Sequence, residues 1–338
     1  MISEGLTFDD VLLVPQYSEI GSRKDIDLSV DLGTGVKYKH PIIPANMQTI
    51  TGAEMAAAVM DSFGLAILHR FMPVDEQCLI VEDLLDRYAD PMHLAVSVGV
   101  KPEDRENIER FHQLGVRMIC VDVAHGDSKL CQEMVGWIRS NYPTMFIIAG
   151  NVATGSGAER LWVSGADAVK VGIGPGSLCS TRIETGNGVP QLTALMDVAA
   201  RQNLLHSFDK RLYIIADGGC KSAGDLVKSL CFADMVMTGN LFAGCEETPG
   251  RIMFVNGQPV KEYVGSSTHR TNHIEGVAAL VHTKGKYEDI LTRLLEGVRS
   301  GCSYQGCAKV SELQESPHFI KMSSAGLRES HPHDVIIK

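Results

Sequence analysis

Cys179 lies in a glycine-rich stretch, GIGPGSLCSTRIETGNG over 172–188, and not in an apolar run. Peptide dipoles of such a loop and the guanidinium of nearby Arg182 both lower a thiol pKa, so the chemistry on offer is nucleophilic attack by a thiolate. A lone cysteine is more often structural, and here its neighbours decide the matter. The glycines around Ser177 let the backbone approach an anion closely and aim N–H groups at phosphate oxygens. Asp217-Gly218-Gly219 and Gly239-Asn240 add two more glycine-marked corners further along the chain. A carboxylate at Asp217 suits sugar hydroxyls, which donate to it; the plainer alternative is a helix cap ahead of Ser222.

These residues need a scaffold that gathers them. Short apolar, β-branched runs occur at 41–47, 64–71, 93–99, 116–124, 145–152, 168–174, 212–219 and 235–242, with amphipathic stretches such as 102–114 between them. Alternating β and α units in that number predict a single-domain (β/α)8 TIM barrel over 1–338. Asn46, His69-Arg70, Asp122 to Gly126, Gly150-Asn151, Gly172 to Ser177, Asp217 to Gly219 and Gly239-Asn240 then meet at the C-terminal rim, where active sites of this fold lie. Two segments exceed the minimal repeat. The loop 173–189 carries Cys179, and an insertion over about 245–285, after the eighth strand, is expected to cover the mouth. The polar tail, 323–338, has no evident place in a barrel core and is expected to reach a neighbouring subunit or stay free.

A formal net charge of −10 argues against a nucleic-acid surface, which needs clustered lysine and arginine. With no basic-then-apolar leader and no run near the ~18 apolar residues of a membrane span, the expectation is a cytoplasmic protein without membrane contact. Its nine cysteines, with no Cys-x-x-Cys pair, are then reduced thiols and neither disulfides nor zinc ligands.

The segments FDDVLLVP (8–15), PANMQTI (44–50), DVAHGDS (122–128), AGNVAT (149–154), KVGIGPGSLCSTRIETGNGVPQL (170–192), IADGGCKSAGD (215–225) and FAGCEETPG (242–250) occur in one order. Through them the chain resembles the inosine monophosphate dehydrogenase and guanosine monophosphate reductase superfamily from about Leu6 to Val335. The resemblance implies that Cys179 adds to purine C2 while hydride passes between C2 and a nicotinamide ring. It implies a catalytic pair, Thr181 and Glu275, the latter in the Glu-Gly step nine residues before Lys284-Gly285. It assigns the nucleotide to Met47, Asn151, Ser177, Asp217, Gly218, Gly219, Gly239, Asn240, Tyr263, Ser266 and Ser267. It assigns the cofactor to Arg70, Asp122, Ala124, His125 and Gly126. A monovalent cation, potassium, is implied at Gly172, Gly174 and Cys179 with Glu329, Ser330 and His331 of a neighbouring subunit, and the assembly is implied to be a homotetramer.

Two reactions share this machinery. The dehydrogenase oxidises IMP to XMP with NAD and must then hydrolyse a covalent intermediate, for which it uses a long flap with an Arg-Tyr pair. Here only nine residues separate Gly265 from Glu275, and they contain no Arg-Tyr. The tandem regulatory module typical of the dehydrogenase is also missing between the second and third strands. Both features favour NADPH-dependent reduction of GMP to IMP and ammonia. The opening TFDDVLLVPQYSEI and the tail SAGLRESHPHDV resemble the dehydrogenase instead, and His269, Arg270 and His273 fit neither pattern. A purine-nucleotide-binding protein without catalysis is a third reading, against which Cys179, Thr181 and Glu275 stand together; an unusual purine or a deoxynucleotide substrate remains open.

Overall fold

The computed structural model describes residues 2–205, 210–265 and 277–332. Eight parallel strands form one sheet: β1 Ile42–Pro44, β2 Ala66–Leu68, β3 Leu94–Val98, β4 Met118–Asp122, β5 Phe146–Val152, β6 Ala168–Val171, β7 Tyr213–Asp217 and β8 Met235–Thr238. The lateral order β1-β8-β7-β6-β5-β4-β3-β2 brings β8 back to β1, with Val236 opposite Ile42 and Thr238 opposite Pro44. β1 touches β2 at the remaining seam. This is the (β/α)8 barrel expected from the sequence, and every one of the eight apolar runs contains its strand.

The strands read as continuous apolar text because they are buried on both faces, by the lumen inside and by helices outside. All five residues of Leu94–Val98 and all four of Ala168–Val171 are buried. The stretch 102–114 folds as the helix Pro102–Gln113, with Pro at its start and Ile108 and Phe111 turned inward. Ser128, Thr154 and Ser222 each cap the following helix by accepting from a backbone N–H. The cap ahead of the helix Ala223–Leu230 is therefore Ser222, and the capping alternative for Asp217 falls away.

Outside the barrel, Val11–Leu13 pairs antiparallel with Phe319–Lys321, which ties the two ends of the chain together, and Val30–Asp31 pairs with Lys37–Tyr38. The insertion is a three-stranded antiparallel sheet of Met253–Val255, Gln258–Val264 and Ala278–His282. Asn256 and Gly257 join the first two strands with φ of 51° and 76°, the left-handed pair that a two-residue hairpin turn of type I′ requires. That Asn-Gly step between alternating strands is the legible sign of a sheet where the sequence suggests only a cover. The tail enters a short helix, Ser324–Glu329, with no buried residue. Among the described residues no helix is long and apolar enough to cross a membrane.

Candidate active site

A cavity opens where the C-terminal ends of the strands converge. Its wall takes Met47 from the β1 end, Arg70 from β2, Asp122 and Ala124 from β4, Asn151 from β5, Asp217 to Gly219 from β7, and Gly239 and Asn240 from β8. The loop after β6 closes one side with Gly172 to Cys179 and Thr181, and Tyr263 and Gly265 reach in from the inserted sheet.

The floor is an ionic cluster. Lys170, in the middle of the apolar run AVKV of β6, is buried and projects across the lumen. Its Nζ donates to Asp122 Oδ1 at 2.6 Å, to Asp217 Oδ2 at 3.0 Å and to Asn46 Oδ1 at 3.4 Å. Asn151 Nδ2 donates to the same Asp217 oxygen at 2.9 Å and to Gly172 O at 2.9 Å. Burial by itself would raise the Asp122 carboxyl, but the Lys170 ammonium overrides it and holds the group below the usual carboxylate range. Burial likewise disfavours the charge of Lys170, and the two carboxylates overcome that, raising the ammonium above its ordinary value. Arg70 flanks the cluster, its Nε donating to Asp122 O at 3.0 Å while its guanidinium lies over the Phe71 ring.

On the opposite side the loop presents the thiol. Cys179 and Cys78 are the only two cysteines among the described residues that are not buried. The Cys179 thiol donates to Thr181 Oγ1 at 3.1 Å, and Cys179 N bonds Gly176 O at 3.0 Å. Thr181 begins a short helix, Thr181–Thr185, that ends on Gly186 with φ of 70°. Arg182 draws the two ends of the loop together: its Nε donates to Ile173 O at 3.2 Å and its Nη2 to Val189 O at 2.5 Å. The guanidinium is still close enough to interact with Cys179 electrostatically. The inserted sheet rests on this loop, since Val277 N bonds Leu178 O at 3.1 Å, and on the β1 end through Val264 N to Thr49 Oγ1 at 3.1 Å.

A third side is a backbone corner. Gly218 and Gly219 stand at φ of 87° and 89°, so their N–H groups turn in a way L side chains resist. A Cβ on Gly239 would come within 2.7 Å of the Tyr263 hydroxyl and 3.1 Å of Met47 Sδ, so glycine there lets the tyrosine reach the corner. Burial pushes the Tyr263 phenol up to about 12, further still from ionisation than an ordinary phenol, so its hydroxyl is a donor at neutral pH.

The barrel thus brings together Cys179, Thr181, Met47, Asn151, Ser177, Asp217, Gly218, Gly219, Gly239, Asn240, Tyr263, Asp122, Ala124, Arg70, Gly172 and Gly174. His125 and Gly126 share the loop of Ala124 but do not line the cavity; His125 is exposed, and Gly126 is buried against Gly150, whose carbonyl carbon a Cβ would approach to 2.8 Å. Glu329, Ser330 and His331 are exposed at the end of the tail helix and line no part of the cavity within this chain. Glu275, Ser266 and Ser267, with His269, Arg270 and His273, lie outside the described residues. Lys170 has no role in the reading from sequence, and Asn46 enters it only as a strand end at the rim; a lysine inside a buried parallel strand is the available signal, because an ammonium is not buried without partners.

The model of the IMP dehydrogenase / GMP reductase domain matches residues 5–333. The chain is similar to inosine-5'-monophosphate dehydrogenase from Nitrosopumilus maritimus, at 32% identity over 476 aligned positions covering 99% of each chain. It is also similar to GMP reductase from Leishmania major, at 30% identity over 485 positions covering 99% of this chain and 98% of the relative. Both alignments are longer than the 338 residues of this chain, so both relatives carry a segment without counterpart here. A missing segment shared by a dehydrogenase and a reductase does not sort the two activities, which removes one argument drawn from the sequence. A cysteine-to-alanine variant of GMP reductase from Trypanosoma brucei, in complex with guanosine 5'-monophosphate, superposes with a TM-score of 0.90 at 28% identity over 99% of each chain.

Proposed function

Because the chain belongs to the IMP dehydrogenase / GMP reductase family of purine nucleotide oxidoreductases, we propose that it reduces GMP to IMP and ammonia with NADPH. The observation that carries this choice is the base of the inserted hairpin. Val264 pairs with Ala278, and Gly265 N bonds Val277 O at 3.2 Å, so the connection between the strands is confined to 265–277. Residues 266–276 contain no Arg-Tyr pair. A dehydrogenase must activate water to hydrolyse its covalent intermediate, whereas the reductase has no hydrolytic half-reaction to serve.

In this reading Ser177, Gly218, Gly219, Gly239 and the Tyr263 hydroxyl hold the nucleotide phosphate by N–H and O–H donation. Asp217 accepts from the ribose hydroxyls and Asn151 fixes that carboxylate. Cys179 attacks purine C2, Thr181 lies beside its sulfur, and Glu275 supplies through Thr181 the proton that leaves with the 2-amino group as ammonia. Arg70, Asp122 and Ala124 would hold the nicotinamide riboside, with Asp122 as acceptor for its ribose, and the cofactor bound there would supply the hydride that C2 takes up. As Cys179 is released, the purine is left as IMP. The loop carbonyls of Gly172, Gly174 and Cys179 are backbone oxygens of the kind that replace the hydration shell of potassium, though Gly172 O already accepts from Asn151. Three carbonyls alone leave such an ion open on its other side, and in this reading Glu329, Ser330 and His331 of a neighbouring subunit in a tetramer complete the proposed set.

The test is direct. Purified protein is given GMP with NADPH, and separately IMP with NAD, while nicotinamide absorbance is followed. Faster NADPH loss in the first mixture is expected. NADH formation from IMP that matches or exceeds it overturns the assignment and makes Arg270 the first residue to examine for water activation.

A further inference from the structure

An ammonium carries three N–H donors, and those of Lys170 meet three acceptors from three parts of the barrel. Asp122 Oδ1 on β4 lies at 2.6 Å, Asp217 Oδ2 on β7 at 3.0 Å, and Asn46 Oδ1 after β1 at 3.4 Å. The side chain of Lys170 is 2% exposed, and those of Asp122 and Asp217 are 14% and 18% exposed, on the cavity side. The stem of the lysine passes Gly150 so closely that a Cβ there would lie 2.8 Å from Lys170 Cβ, so the strands leave it little room to move. A donor set that is already full cannot strengthen one bond without weakening another, and in a site shielded from water such adjustments carry weight.

On the reading above, Asp217 serves the nucleotide ribose and Asp122 the cofactor ribose. We propose that Lys170 is a positioning residue that couples the two ligand sites: it aims both carboxylates, and a hydroxyl donor arriving at one changes how firmly the ammonium holds the other. If Asp122 loses its charge, Asp217 is the one carboxylate still bonded to Lys170, the ammonium holds it more firmly, and Asp217 becomes a poorer acceptor for ribose at a site Asp122 does not touch. A purely structural ion cluster would stabilise the barrel without making either affinity depend on the other carboxylate.

Affinities for GMP, IMP and NADPH, each measured alone by titration calorimetry, decide between them. Asp122→Asn is expected to weaken nucleotide binding about fivefold or more with Lys170 present and less than about twofold in a Lys170→Met background. Lys170→Arg, which keeps the charge, is expected to restore most of the dependence. An unchanged nucleotide affinity in Asp122→Asn, or the same factor in both backgrounds, overturns the coupling. Should Lys170→Met fail to fold, Asp122→Asn and Asp217→Asn carry the test: each weakening the other's ligand supports the proposal, and strictly local losses overturn it. Failure of the unaltered protein to bind either nucleotide overturns the reading of the site and this proposal with it, whereas nucleotide binding with only local effects overturns the coupling alone.

Discussion

Asp122, Asn151, Lys170 and Asp217 stand on four adjacent strands, β4 to β7, and hold one another by side-chain hydrogen bonds within the barrel. Across the cavity, Cys179 and Thr181 stand on a half-exposed loop held by backbone carbonyls, by Arg182 and by one edge of the inserted sheet. The first region is paired to itself before any ligand arrives. The second offers a thiol whose partner is another small side chain. On the proposed reading, the groups that keep a fixed aim toward polar ligand atoms are on strands, and the group that forms and breaks a bond is on a loop. Changes at Cys179 and Thr181 should therefore remove turnover while sparing binding, and changes at the strand carboxylates should do the reverse.

The strongest test of that contrast is Cys179→Ser, which is expected to abolish turnover while GMP affinity stays close to that of the unaltered protein, because the phosphate and ribose are held by other groups. Turnover that survives the change removes Cys179 from the chemistry. Glu275→Gln keeps the shape and removes the titrating group; steady-state rates should fall by about 10²- to 10⁴-fold, the range for a general acid or base, with little change in nucleotide affinity. A loss seen in affinity and not in rate would move Glu275 to the binding side. On the strand side, Asp217→Ala should weaken the nucleotide by about 1.5 to 3 kcal/mol for each lost bond to the charged acceptor. Direct loss at the cofactor should be smaller and limited to what passes through Lys170, so equal losses for both ligands would place Asp217 elsewhere. The smallest effect concerns the loop's outer support: activity in potassium should exceed activity in sodium, and removal of residues from Ser323 onward should erase the difference. Sedimentation of the intact protein as a stable monomer would count against a tail shared between subunits.

Much of the loop side is legible in the amino-acid sequence. Cys179, Ser177 and Thr181 sit within one unbroken glycine-rich stretch, and a stretch of that composition advertises close backbone approach by itself. The strand side is legible only in part. Asp217 and Asp122 show as acids at strand ends, but nothing local connects them, since they are 95 positions apart in the chain and meet only through Lys170. The inserted sheet is hard to see in the sequence because most of its residues are half-buried or exposed, so burial leaves no clear apolar run, and Asn256-Gly257 is what marks the turn.

Local text determined the eight apolar runs, the Pro and Ser starts of the helices, the glycine corners and the proposed nucleophile. Those follow from side-chain burial, φ preference and hydrogen-bonding capacity within a few neighbouring residues. Closure of the barrel decided the rest: which strand ends face one another, that a buried lysine serves two distant carboxylates, that Arg182 joins Ile173 to Val189, and that Tyr263 fits beside Gly239. These are contacts between residues distant in sequence. Burial and charge can be paired there only once the backbone has fixed which groups share the same water-poor space.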